Sequence, residues 1–462
     1  YHAEEGDFAS AGAARLRLVD RLDYGIAEVT IGQEGHRRGL LMNSHALGAG
    51  TLLYALETSR SDGPWDNPED FRRINGVLRY TLGEGANRTA LTAMAYTARW
   101  DSTDQIPLRA VQSGLIGRYG TVDPTDGGKT QRYSLSLDHQ RAYDDGAFRF
   151  NAYAIQSELD LWSNFTYFLE NPADGDQFRQ SEQRTVLGMA MSRSWDGQFA
   201  GRPMTNTLGV QLRHDRLSPV GLYSTVARST TGVIQQSRVR QTSVGLFGEN
   251  SVQWTPWLRS LAGLRLDHYD FDVSSSIAAN SGDANDHIAS PKLSFIFGPW
   301  ARTEYFVNYG HGFHSNDARG TTARVTAKGG LPADPVDALV RTQGGEVGVR
   351  TEFVPGLQSS LAVWTLKLDS ELLFVGDAGE TEPNRASKRS GIEWNNRWTM
   401  RPWLLLDLDI AASRARFTED DPAGNHVPGA VDRVVAAGLS LTEDNPLANG
   451  WFGHLQLRHV GP

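Results

Sequence analysis

Arg132 to Gln140 reads RYSLSLDHQ, and its alternation decides the fold. Tyr133, Leu135 and Leu137 fall on one face of an extended chain; Arg132, Ser134, Ser136, Asp138 and Gln140 fall on the other. Successive side chains of a strand point to opposite faces, so the charged row must meet water or a polar lumen. The pattern returns at Leu264 and Leu266, which alternate with Arg265 and Asp267. It returns again at Leu404, Leu406, Leu408 and Ile410, which alternate with Asp407 and Asp409. A soluble sandwich could carry the same alternation, so the connections have to separate the two cases.

Working outward from these segments predicts strands over 24–34, 37–46, 50–60, 74–83, 87–99, 130–141, 146–168, 182–195, 203–214, 240–254, 257–270, 287–297, 302–311, 341–351, 357–375, 387–398, 402–416, 432–442 and 450–460. The connections alternate in kind. Leu47–Ala49, Glu84–Ala86, Tyr143–Gly146, Thr255–Pro256, Gly298–Ala301, Phe353–Gly356 and Met400–Pro402 are tight and punctuated mostly by Gly or Pro. Between them lie long polar stretches at 61–73, 100–129, 169–181, 215–239, 271–286, 312–340, 376–386 and 417–431, and one short outer turn at Glu34–His36. Short turns at one end and long loops at the other are the mark of bacterial membrane barrels, and closure of the sheet removes its free edges. The expected fold is all-β, a large antiparallel transmembrane β-barrel with about nineteen strands present. Single-chain bacterial barrels have even strand numbers, so about 22 are expected in the complete protein, with C-terminal strands missing here.

Composition agrees. Hydrophobic residues make up 39% of 462, the mean hydropathy is −0.41 and the net charge is −9. That is too polar for membrane helices, but a barrel needs apolar residues only on its lipid face. The longest apolar clusters, such as Trp403–Leu406, are far too short to span as helices. The absence of cysteine excludes thiolate metal sites, thiol nucleophiles and disulfides. Mild acidity argues against nucleic acid as a partner. Trp254, Trp257, Trp300, Trp398 and Trp403 recur beside short turns, which favours an interfacial girdle over the packing of a soluble core.

Chemical motifs are sparse. Asp123 to Thr130, DPTDGGKT, imitates a phosphate loop but has Asp where the pattern requires its first Gly, so a solvated turn is expected. His311 and His314 diverge on an extended segment and no metal site is expected. The adjacent carboxylates Glu4-Glu5, Asp144-Asp145 and Asp420-Asp421 read as solvated turn residues. No nucleophile elbow or zinc-protease motif occurs, so no catalytic residue and no cofactor is expected and the chain does not read as an enzyme. Two loops are more informative: Ser61 to Arg73, SDGPWDNPEDFRR, and Gly312 to Thr321, GFHSNDARGT. Each combines turn residues, an aromatic and charges, a mixture suited to a polar ligand. Trp65, His314, Asn316, Asp317 and Arg319 are the candidate ligand-binding residues, against the plainer reading of ordinary surface loops.

The opening YHAEEGDFASAGAARLRLVDRL (Tyr1 to Leu22), the segment Ser61 to Phe71, SPKLSFIFGPW (Ser290 to Trp300), NYGHGFHSNDARG (Asn308 to Gly320) and GGEVGVRT (Gly344 to Thr351) carry a family likeness. Over nearly its whole length the chain resembles TonB-dependent outer-membrane receptors. The resemblance implies that residues 1–20 are the tail of a plug domain with its linker, and that 21–462 form the barrel. It implies residence in the outer membrane of a Gram-negative bacterium, among outer-membrane lipid and lipopolysaccharide. It implies import of a scarce substrate, a ferric siderophore or similar, with energy from the TonB complex acting through an N-terminal plug and box absent from this sequence. Cobalamin, haem and oligosaccharides remain open as substrates. Arg132, Asp138, Arg265, Asp267, Asp407 and Asp409 would line the lumen. The alternatives are a passive porin and a structural or adhesive barrel.

Overall fold

The computed structural model describes residues 2–375, 380–383, 385–419, 421–422, 424–442 and 451–461, with backbone alone for 372–375 and 380–383. Tyr1, part of the expected 376–386 loop, Asp420 and the first residue of the last expected strand lie outside the described residues. In chain order the strands are β1 (Ile26–Ile31), β2 (Arg37–Leu47), β3 (Gly50–Ser61), β4 (Phe71–Glu84), β5 (Asn87–Asp101), β6 (Gly127–Tyr143), β7 (Gly146–Ser163), β8 (Phe178–Phe199), β9 (Arg202–Val226), β10 (Ser229–Thr255) and β11 (Leu258–Ser275). They continue with β12 (Gly282–Trp300), β13 (Thr303–Ser315), β14 (Leu339–Thr351), β15 (Leu357–Leu368), the small hairpin β16 (Leu372–Val375) and β17 (Glu380–Pro383), then β18 (Ser387–Arg401), β19 (Leu404–Phe417), β20 (Arg433–Leu441) and β21 (Gly453–Gly461). Two one-turn helices, α1 (Leu108–Gln112) and α2 (Ala318–Thr322), sit in long loops.

Among the described residues, nineteen strands form one sheet. Each pairs antiparallel with its neighbour in sequence, β15 passing directly to β18 across the small hairpin. No hydrogen-bonded register joins β1 to β21 among the described residues. The facing of the side chains is the reverse of a soluble protein. Leu264 and Leu266 are each 48% exposed, while Arg265 and Asp267 between them are each 4% exposed. Tyr133, Leu135 and Leu137 are likewise exposed. The apolar row faces outward and the charged row faces a lumen, which is how a barrel dissolves in lipid. No helix among the described residues is long and apolar enough to cross a membrane, a statement that does not concern strands.

At the short-turn end, aromatic side chains gather as a girdle requires. Trp257 and Trp300 stack with ring centroids 6.0 Å apart, Tyr305 lies 6.2 Å from Trp300, and Phe199 meets Trp254 edge-on at 5.9 Å.

One expected long loop is not a loop. Residues 215–239 belong almost entirely to β9 and β10, strands of 25 and 27 residues joined by a turn at Ala227-Arg228. About ten tilted residues cross a bilayer, so this hairpin stands well above it. A bulge in β9 between Leu217 and Val220 shifts the register and keeps both side chains buried. The expected 271–286 loop is also shorter, since β11 runs to Ser275 and β12 begins at Gly282, whereas the strand expected over 357–375 ends at Leu368.

The loop end of the lumen has an apolar core. Phe313 is fully buried and packs with Leu217, Val239, Tyr269, Phe271, Val273, Ile288 and Leu339. Ala318 of α2 joins this cluster, so the loop after β13 folds over the lumen instead of projecting from it. The N-terminal segment is inside as well. Ala3 is fully buried, its N–H donating to Glu249 of β10 at 3.0 Å. Asp20, near the other end of the segment, accepts from Arg79 of β4 at 2.6 Å and from Arg88 of β5.

Candidate functional site

The N-terminal segment and the wall it touches define the site. Arg265 pairs with Asp267 at 2.7 Å and donates to the Glu4 carbonyl at 3.0 Å. Gln211 donates to the same carbonyl at 3.1 Å, and the Lys292 ammonium bridges the His2 and Glu5 carbonyls at 2.7 and 2.8 Å. Asp7 is the hub. It accepts from the Ser315 N–H at 2.7 Å, the Ser315 hydroxyl at 2.6 Å and the Tyr269 hydroxyl at 3.2 Å. The next residue, Phe8, donates its N–H to the Phe313 carbonyl and lays its ring 5.6 Å from that of His314. Hydrogen bonds with one charged partner are stronger than neutral ones, so Arg265, Lys292 and Asp7 are the main anchors of the segment.

A cavity of about 590 Å³ opens between this segment, the wall and the start of α2. Its lining includes Tyr153, Arg184, Arg213, Asp215, Gln241 and Asp317. The arginines are held in opposite-charge pairs two residues apart, a spacing that puts both partners on one face of a strand. Arg213 binds Asp215 through two contacts of 2.6 and 2.9 Å, and Arg184 binds Glu182 at 2.8 Å. A second cavity of about 440 Å³ lies on the other flank of the segment, against Lys292, His311, Thr342, Trp364 and Arg389. Each is polar and carries both signs of charge, and so can hold a solute by hydrogen bonds and guanidinium contacts.

Over the mouth, three connections lock together. Gln177 donates to Asp126 at 3.0 Å, Asp123 at 3.3 Å and Thr125 at 2.8 Å, and its own carbonyl accepts from Thr225 and from the Arg228 N–H. Arg228, at the tip of the β9–β10 hairpin, reaches Asp101 at 2.6 Å and the Asp126 carbonyl at 2.7 Å. Asn164 joins Asp123 at 3.0 Å and Asp104 at 2.8 Å. Asp126 is fully buried, and no donor reaches its Oδ2 among the described residues. Burial pushes the Asp126 carboxyl up to about 8; Gln177 opposes the shift, while Asp123 and Asp104 add to it. DPTDGGKT is therefore part of this mouth network and the start of β6, not a solvated turn. Its Lys129 is turned outward beside Asp160 at 3.3 Å.

The five candidate ligand residues divide. His314, Asn316, Asp317 and Arg319 do come together, on the turn into α2. Asn316 and Asp317 line the larger cavity. Asp317 caps α2 by accepting from the Arg319 N–H at 2.8 Å and pairs with its guanidinium at 2.6 Å. Burial opposes ionisation of Asp317, but Arg319 outweighs it and holds the carboxyl below its ordinary range. His314 is 6% exposed, under Phe8, and Asn316 donates to the Asp337 carbonyl at 2.8 Å. Trp65 belongs to a different loop, where it packs 6.2 Å from Tyr119. Sequence reasoning missed Asp7, Arg184, Arg213 and the Asp126 network. The Arg-x-Asp spacing at Arg213 and Asp215 was a usable signal, the same one that marked Arg265 and Asp267. Among the described residues, no group of three or more His, Asp or Glu side chains is placed to hold a metal.

The family model for the β-barrel of TonB-dependent receptors matches residues 59–462. The chain belongs to the TonB-dependent receptor family. Among solved structures, the receptor barrel is similar to the ferric citrate transporter FecA, with a TM-score of 0.74 at 13% identity over 94% of this chain and 64% of that one. It is similar to the ferric yersiniabactin uptake receptor FyuA from Yersinia pestis, with a TM-score of 0.71 at 15% identity over 96% and 68%. It is equally similar to the copper transporter OprC, at 0.71 and 14% over the same shares. At such identities the likeness establishes the fold, and the three carry different cargoes. The receptor spans 64% of the length of the first of them. No curated protein matches the sequence.

Proposed function

We propose that the protein is an outer-membrane import receptor for a scarce chelate of the ferric siderophore type, driven through the TonB complex. The observation that carries this reading is the acid-anchored segment threaded through the lumen, with a polar chamber beside it. In this reading residues 2–20 are the end of a plug; the segment is tied at one end by Asp7 and at the other by Asp20. A segment held by hydrogen bonds and ion pairs, rather than by a large apolar interface, can be drawn off the wall by mechanical pull. A ferric chelate with carboxylate or catecholate arms carries negative charge, and Arg184 and Arg213 offer guanidinium groups to it across the larger cavity. Two of the structurally similar proteins named above are described as carriers of ferric citrate and ferric yersiniabactin, which supports this cargo class.

The porin alternative is disfavoured because the N-terminal segment runs along the luminal wall. The test is uptake of radiolabelled ferric siderophores, ferric citrate and cobalamin by cells expressing the protein, with and without TonB. Accumulation of a ferric chelate that requires TonB supports the reading. Equal accumulation without TonB makes the protein a pore, and accumulation of cobalamin alone changes the cargo.

A further inference from the structure

The outer face of β2 to β6 carries a basic residue at one register position on every strand. Arg37 pairs with Arg60, Arg60 with Arg72, Arg72 with Arg99, and Arg99 with Lys129. The side chains of Arg60, Arg72, Arg99 and Lys129 are 49–64% exposed. They share the outward face with Leu41, Leu56, Ile74 and Tyr133, in the upper part of the apolar band. Like charges directly opposite one another destabilise a sheet, so such a row needs anions.

The protein supplies some of them. Asp70 reaches Arg72 at 2.9 Å and Arg60 and Arg99 at 3.6 Å, and Asp62 lies 3.6 Å from Arg60. Asp160 serves Lys129 at 3.3 Å and Arg179 at 3.5 Å, while Glu158 is engaged by Gln131. Six cations thus face four carboxylates, and the balance stays positive. A groove of about 390 Å³ opens at the middle of the row. Its walls are two successive outward rows. One is Arg72, Arg99, Lys129 and Asp160; the next, toward the apolar band, is Ile74, Thr97, Gln131 and Glu158. The step between them is roughly 7 Å along the strand, the depth over which a lipid passes from charged headgroup to acyl chain.

We propose that this row binds a phosphorylated glycolipid of the outer leaflet, with its phosphates between Arg72, Arg99 and Lys129 and its first acyl carbons against Ile74. The proposal rests on the outer-membrane placement and is independent of what the receptor imports. Arginine forks match phosphate geometry, and cations at a membrane surface attract anionic lipid. Asp70 competes with the phosphate for the same guanidinium groups.

The test measures the lipid A phosphate that co-purifies per barrel, and its rebinding after delipidation, for the unaltered protein, for R72Q/R99Q/K129Q and for D70N. The probes are bisphosphorylated lipid A, dephosphorylated lipid A, phosphatidylglycerol vesicles and inorganic phosphate, with heat-modifiable gel mobility reporting folding. The triple variant should lose retention by at least about tenfold, and D70N should hold the glycolipid at higher salt than the unaltered protein. Equal retention by the folded triple variant overturns the proposal, as does D70N behaving like the unaltered protein. Phosphatidylglycerol or inorganic phosphate binding as well as lipid A also overturns it, by leaving a general anion site. Because retention is read on purified protein, a failure of uptake with retention intact counts against the import reading alone.

Discussion

Asp126 makes the mouth of the barrel sensitive to pH. Its carboxyl titrates near 8 in the folded protein against 3.8 for a free side chain. The folded state therefore binds more protons than the opened state throughout that interval, and stability falls as pH rises through it, levelling off above the folded value. At pH 6 the folded group is almost fully protonated. Between pH 6 and pH 9 that advantage disappears, which amounts to about 3 kcal/mol, or on the order of a hundredfold in the local opening equilibrium. Asp126→Asn places a permanently neutral donor at the same atom and should remove the dependence. Hydrogen exchange of residues 102–126 and 164–177, corrected for the intrinsic effect of pH on exchange, reads this directly. Protection in the unaltered protein should drop steeply between pH 6 and pH 9, while the variant stays protected. A variant that loses protection over the same interval as the unaltered protein would refute the assignment to Asp126, and flat protection in both would refute the raised titration.

The remaining expectations concern the wall and its threaded segment. Leu135→Arg puts a charge on the lipid face and should cost about 2–4 kcal/mol if it lies near the midplane, whereas Arg132→Leu on the luminal face should change stability by less than about 1 kcal/mol. Unfolding of the two variants in lipid vesicles compares them. Asp20→Asn removes the charged partner of Arg79, which is 4% exposed and otherwise has the Thr92 hydroxyl at 2.7 Å and Asp138 at 4.0 Å; a loss of about 1–3 kcal/mol in the hold of the segment is expected, read as faster proteolysis of residues 2–22. Arg213→Ala should weaken capture of an anionic chelate by tenfold or more, about 1.4 kcal/mol, with barrel folding unchanged by gel mobility.

Much of the barrel was legible because a strand has period two and the membrane enforces it. Where lipid demands apolar residues on one face, Leu264, Arg265, Leu266 and Asp267 alternate visibly. Above the bilayer that demand ends, and 215–239 carries Ser, Thr, Gln and Gly that read as loop. The tip of that hairpin gave no turn signal either, since Ala227 and Arg228 take positive φ values of 46° and 66° where Gly or Asn is usual. Arg228 is fixed there by Asp101 and by the carbonyls of Thr125 and Asp126, contacts that only the folded loops create. The candidate site was partly legible. Local pairs such as Asp317 and Arg319 could be singled out, but their main visible work is to cap α2 and pack the loop. Asp7 could not be found by spacing, because its partners Tyr269 and Ser315 are 262 and 308 residues away.

The central claim is that TonB admits a ferric chelate through this barrel by drawing the N-terminal segment off the luminal wall. Its most direct test is accumulation of iron-labelled chelates in matched cells with and without TonB. The account predicts saturable accumulation of one chelate that disappears when TonB is removed. Accumulation that is unsaturable and identical in both strains would contradict it and leave an open pore.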